Sequence, residues 1–101
     1  MAIREDSMET IKVKVEKIGV EYFATAISRR LSLFSFRKGI DCWFFDTQCS
    51  IGIGRAWVKT DEFPLDYFKR LCQSVCLISL GLTEFPEIEL TADSKKMLGI
   101  K

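Results

Sequence analysis

Four cysteines are the residues of this chain best equipped for chemistry, and their spacing decides what they can do. Cys42 and Cys49 enclose six residues, Cys72 and Cys76 enclose three, and there is no histidine anywhere. A tetrahedral zinc site takes about four ligands, usually from close cysteine pairs with or without histidine. In the hairpin registers described below, Cys42 and Cys49 stand about four strand positions apart, roughly 13 Å at 3.3 Å per residue. One metal ion cannot hold both. Cys72 and Cys76 fall one helical turn apart, and two ligands do not close a site. The opening "MAIREDS" is polar and acidic, neither a secretory signal nor a transit peptide, so a disulfide framework is not expected. The thiols are expected to be reduced and to behave as small buried hydrophobes, with no cofactor and a cytoplasmic location.

Other chemistries have less to stand on. "SIGIGR" contains G-x-G but lacks a third glycine, a following helix and a Walker lysine, so it cannot cradle phosphate as the nucleotide motifs do. Without histidine there is no near-neutral base to activate a serine or cysteine nucleophile. Asp41 and Asp46 flank a strand at its turns, and Glu84, Glu87 and Glu89 surround the last strand as solvated positions. A non-catalytic protein is expected.

What remains is recognition. Net charge is +1, yet residues 28–60 carry Arg29, Arg30, Arg37, Lys38, Arg55 and Lys59 against only Asp41 and Asp46. This basic middle, with flanks that lean acidic, favours an acidic partner or a phosphate backbone unless the charges are simply solvated turns and strand ends. The same segment holds Phe34, Phe36, Trp43 and Phe45, so basic and aromatic side chains interleave.

The chain's length of 101 residues supports a flexible tail over 1–8 and a single α+β domain over 9–101. "TIKVKVE" alternates as a half-buried strand, Gly19 suits the turn after it, and "VEYFATAI" returns. "RRLSLFSF", "IDCWFFD" and "CSIGIGRAWVKT" follow as strands, with Lys38-Gly39 as a two-residue hairpin turn and Asp46 to Cys49 as the next turn. From Asp61 the spacing becomes helical: Leu65, Phe68, Leu71, Cys72 and Val75 form one stripe, with Asp61 as cap and Gly81 as stop. "PEIELTA" is a last strand and "DSKKMLG" a short capped turn. The fold expected is an antiparallel sheet of about five or six strands with one long helix on one face. The longest nearly apolar run, Val75 to Leu82, is too short to span a membrane.

Those turns fix which side chains are neighbours. They set Phe34 opposite Trp43 and Trp43 opposite Gly52, dividing the strands into two faces. Leu31, Leu33, Cys42, Phe44, Ile51 and Ile53 form an aliphatic face that matches the helix stripe. Phe34, Phe36, Trp43 and Phe45 form an aromatic face over Ser50, Gly52 and Gly54, with Arg30 on the same side and a bulge at Gly54 to turn Arg55 and Trp57. Four rings amount to roughly 600–1,000 Å², above the roughly 300–600 Å² patch of a typical monomer. The candidate covers are the N-terminal hairpin or strong sheet curl into a half-barrel, a second copy, a foreign protein or nucleic acid. The expected function is a small protein-binding module of homodimer, inhibitor, immunity-type or adaptor kind. Phe34, Phe36, Trp43 and Phe45 serve as its anchors, and Arg30, Arg37 and Lys38 as its rim. Single-stranded nucleic-acid binding through the same surface is the alternative, and a small-ligand pocket between sheet and helix is a third class.

Overall fold

The computed structural model describes residues 9–49 and 52–100. The expectations for the tail over 1–8 and for Ser50 and Ile51 lie outside the described residues. The elements run β1 (Thr10–Ile18), β2 (Glu21–Ala26), β3 (Leu31–Lys38), β4 (Trp43–Cys49), β5 (Gly52–Val58), α1 (Leu65–Leu80), β6 (Glu87–Leu90) and α2 (Ala92–Met97). The α+β class and the antiparallel sheet follow the sequence pattern. Six strands lie in the order β5-β4-β3-β2-β1-β6. All neighbours are antiparallel except β1 and β6, which run parallel. A parallel neighbour needs a crossover, and α1 supplies it by carrying the chain from one sheet edge to the other.

Local chemistry sets the ends of α1. Its N-cap is Pro64, with no side-chain cap; Asp61, expected in that role, lies upstream. At the other end Gly81 adopts φ 66°, and its N–H and that of Leu82 both reach the Leu77 carbonyl, the left-handed stop that glycine permits. At 1.5 Å per residue the 16-residue helix is about 24 Å long.

Both central hairpins close in a different register from the one expected. Gly39 to Cys42 form a longer connection, closed by the Gly39 N–H donating to the Cys42 carbonyl at 2.7 Å, so Trp43 lies opposite Lys38 and not Phe34. Asp46 to Cys49 belong to β4, and Trp43 lies opposite Val58 and not Gly52. The shifts are four and six residues. Because side chains alternate with period two, even shifts keep Phe34, Phe36, Trp43 and Phe45 together on one side and Phe44 on the other.

The covered side is the reverse of expectation. α1 packs on the aromatic face, through Phe68, Cys72, Val75 and Cys76, and not on the aliphatic one. The reason lies in β1, which has only one apolar set. Register carries Val15 across Ala24 to Phe34, so Ile11, Val13 and Val15 share a side with the rings and extend the same core. A register shift between Ala24 and Thr25 inserts Leu33 as a bulged residue, and both Leu31 and Leu33 pack on the core side. Phe44 is left on the uncovered face. The pairing of β4 with β5 shows no shift at Gly54, so the expected bulge is absent and Arg55 and Trp57 stand beside Phe44.

Candidate functional site

The four rings expected as surface anchors are core. Phe34, Phe36, Trp43 and Phe45 are each 5% exposed or less. Phe36 stacks on Tyr22 at 5.1 Å and on Phe45 at 5.3 Å, while Phe68 meets Phe34 and Phe36 edge-on, both at 5.5 Å. What lies on Trp43 is Phe63, in T-shaped contact at 5.1 Å, together with Tyr22. The Trp43 Nε1 is buried and has no hydrogen-bond partner among the described residues. The expected glycine floor does not lie under that ring.

The basic residues scatter. Arg37 and Lys38 are adjacent in β3 and therefore point to opposite faces. The Arg37 guanidinium lies 4.4 Å from the Phe44 ring centroid on the uncovered side, and the Lys38 ammonium lies 5.6 Å from the Trp43 ring on the helix side. Arg30 sits in the β2–β3 turn with φ 52°. Arg29 pairs with Glu9, Arg55 with Asp46 at 3.4 Å, and Lys59 with Asp41 at 4.0 Å. The excess positive charge of residues 28–60 is thus divided among turns, rings and carboxylates, and makes no single basic field.

The uncovered face brings together residues from five strands. One row runs Glu21, Arg37, Phe44, Trp57 and the next Glu16, Phe23, Ser35, Asp46, Arg55. Trp57 is 63% exposed, beside a Phe44 ring already held under Arg37. Hollows of about 410 Å³ and about 550 Å³ lie along these rows, the first between Arg37, Phe44, Arg55 and Trp57, the second between Phe23, Ser35, Asp46 and Thr47. Across the whole face Lys12, Lys14, Arg37 and Arg55 meet Glu16, Glu21, Asp46, Glu87 and Glu89. Charge there is nearly balanced. Comparison with family models, with curated proteins and with solved structures finds no match to this chain.

Trp57, Phe44 and Arg55 were missed as site residues, although the signal was present. "GRAWV" alternates without a break, and that unbroken alternation places Trp57 with Phe44. Only the assumption that the helix covered Phe44 made a repairing bulge necessary.

On the helix side, a groove of about 680 Å³ runs between Tyr22, Lys38 and Trp43, the Asp61–Leu65 connection and the C-terminal Met97–Ile100 segment. Its lysine faces two acids, Asp61 and Glu62, a mixed lining with no single ligand sign. The thiols of Cys42, Cys72 and Cys76 are free and buried; the Cys49 side chain lies outside the described residues. Burial, then the neighbouring Cys76, pushes Cys72 well above the ordinary 9.0. Burial also raises Cys76, partly offset by Arg29. A raised pKa keeps the nucleophilic thiolate scarce at neutral pH. Among the described residues no three of Cys, Asp and Glu gather as metal ligands, and no helix is long and apolar enough to cross a membrane.

Proposed function

We propose that this chain is a non-catalytic protein-binding module of the reducing cytoplasm, contacting another protein through the uncovered sheet face around Phe44 and Trp57. The observation that carries the reading is a tryptophan 63% exposed beside a phenylalanine capped by arginine, on a regular sheet face with no helix over it among the described residues. Tryptophan and arginine dominate interface hot spots because they bury large rigid area while keeping a polar handle. The free, buried thiols suit a reducing compartment.

The alternative, single-stranded nucleic acid, shares the aromatic requirement but needs a positive groove along the phosphates. The near balance of charge on this face weighs against it, because phosphate contacts supply most of such affinity.

The experiment is capture with two baits, the natural chain and Trp57→Ser, washed at about 1 M salt, where charges are screened within about 3 Å. A protein retained by the first bait and lost from the second is the expected result. Retention that nuclease abolishes, or an identical set on both baits, contradicts the reading.

A further inference from the structure

We propose that β5 pairs antiparallel with β5 of a second copy of this chain, about a two-fold axis through Ala56, joining two six-stranded sheets into one. This deepens the reading above, on which it rests, by naming the partner of the Trp57 surface. β5 ends the sheet, and among the described residues its outer edge has little of the usual protection. It contains no proline, its pairing with β4 is regular over all seven residues, and it carries one charge, Arg55. Natural edges are normally blunted by such devices. The opposite edge differs: β6 has only four residues and presents Glu87 and Glu89, like charges that oppose self-pairing.

The sequence of β5 is complementary to itself about Ala56. In the two-fold arrangement Arg55 stands opposite Trp57 of the copy, and Trp57 opposite the copy's Arg55. These are two cation–π pairs on the uncovered face. On the helix side Gly54 stands opposite Val58 of the copy. A notch of about 110 Å³, walled by Tyr67 and Leu71, opens there beside Gly54 and Ala56. A Cβ on residue 54 would come within 2.9 Å of the Thr47 hydroxyl, so the space is kept by glycine.

The neighbouring registers are poorer. An axis through Arg55 sets two guanidiniums directly opposite each other, and one through Trp57 opposes Arg55 to Lys59; both place like charges face to face. An axis through Gly54 leaves Trp57 past the end of the partner strand.

An edge pairing of this length belongs with the small interfaces, below about 1,200 Å² in total, so the dimer is expected to be concentration-dependent. Sedimentation of the full chain from about 1 to about 500 μM reads it directly. The expected result is reversible dimerisation in that range, weakened about tenfold by Trp57→Ala through the loss of both ring contacts. Register is read by oxidation of cysteine variants. Opposed residues of an antiparallel pair have Cα atoms about 4.5–5.5 Å apart, within disulfide reach. Ala56→Cys should therefore cross-link two chains, whereas Arg55→Cys and the natural chain should not. Cross-linking that favours Arg55→Cys overturns the register. A natural chain that stays monomeric throughout overturns the pairing itself, and a partner lost from the Trp57→Ser bait would then show that the binding reading stands without it.

Discussion

Replacing Phe36 with alanine is expected to lower stability by about 3–5 kcal/mol, in the range of buried phenylalanine deletions. Phe36 is 1% exposed, and its ring is in contact with those of Tyr22, Phe34, Trp43, Phe45, Phe63 and Phe68, at 5.1–6.1 Å between centroids. It ties three strands to the helix and to the segment before it. The cavity left by its loss has walls on both layers and cannot collapse by one side chain turning. Since a domain's whole stability is about 5–15 kcal/mol, this single change removes roughly a fifth or more of it. The comparison is Phe44→Ala, on the neighbouring strand but on the uncovered face, where loss of a half-buried ring under Arg37 should cost about 1 kcal/mol. Denaturant midpoints of the two variants check the assignment of faces, with the slope expected to stay unchanged for both. Equal losses, or a larger loss for Phe44→Ala, would contradict it.

Ser94→Ala is the second change with a large expected effect, and it acts through one hydroxyl. β6 ends at Leu90, opposite Val13, so farther along that edge Val15 has no strand to receive its N–H. The Ser94 Oγ accepts it at 2.7 Å, taking the place of a strand carbonyl. The same oxygen lies 2.7 Å from the Thr91 hydroxyl, and Thr91 caps α2 by accepting the Ser94 N–H at 3.3 Å. Ser94 is 1% exposed, and alanine there leaves the Val15 donor buried and unpaired. Such a group costs about 1–3 kcal/mol. Thr91→Ala, which removes the cap but leaves the Val15 bond, should cost about 1 kcal/mol. Amide exchange gives a site-specific readout: the Val15 proton should exchange markedly faster in Ser94→Ala than in Thr91→Ala. A Ser94→Ala protein of natural stability with Val15 still protected would contradict the role assigned to the hydroxyl.

Neither Ser94 nor the choice of covered face was legible in the chain, and the two failures have different causes. Ser94 acts across 79 positions of sequence, and nothing local distinguishes it from an ordinary serine in a capped turn. The covered face depends on a register that crosses a bulge. The strands of β1 through β5, α1 and its glycine stop are marked by periodicity and turn residues, and β6 and α2 follow from "PEIELTA" and "DSKKMLG". Separation of Phe34, Phe36, Trp43 and Phe45 from Phe44 was also legible, because even register shifts do not alter it, whereas the bulge moves Leu31 and Leu33 to the side of the rings. Deciding which side is core needed the register of β2 against β3. The bulge at Leu33 disguises that register by adding one residue exactly where alternation would be counted. Once Val15, Ala24 and Phe34 are seen in one row, the single apolar set of β1 commits the aromatic side to the interior. The basic residues misled for another reason: composition records their number but not the carboxylates that face them, and Arg55 beside Asp46 is visible only in the paired strands.

The assignment of faces underlies the proposed contact surface, and the two tryptophans of the chain report on one face each. Trp43 is 4% exposed beneath Phe63, and Trp57 is 63% exposed on the other side of the same sheet. Acrylamide quenching of the single-tryptophan variants Trp57→Phe and Trp43→Phe, at low micromolar concentration where self-pairing is weak, separates them. The variant that keeps Trp43 should emit at short wavelength and resist the quencher, and the variant that keeps Trp57 should emit near the wavelength of free tryptophan and be quenched readily. A readily quenched Trp43 with a protected Trp57 would mean that the helix lies on the other face, and the surface proposed for binding would be the core.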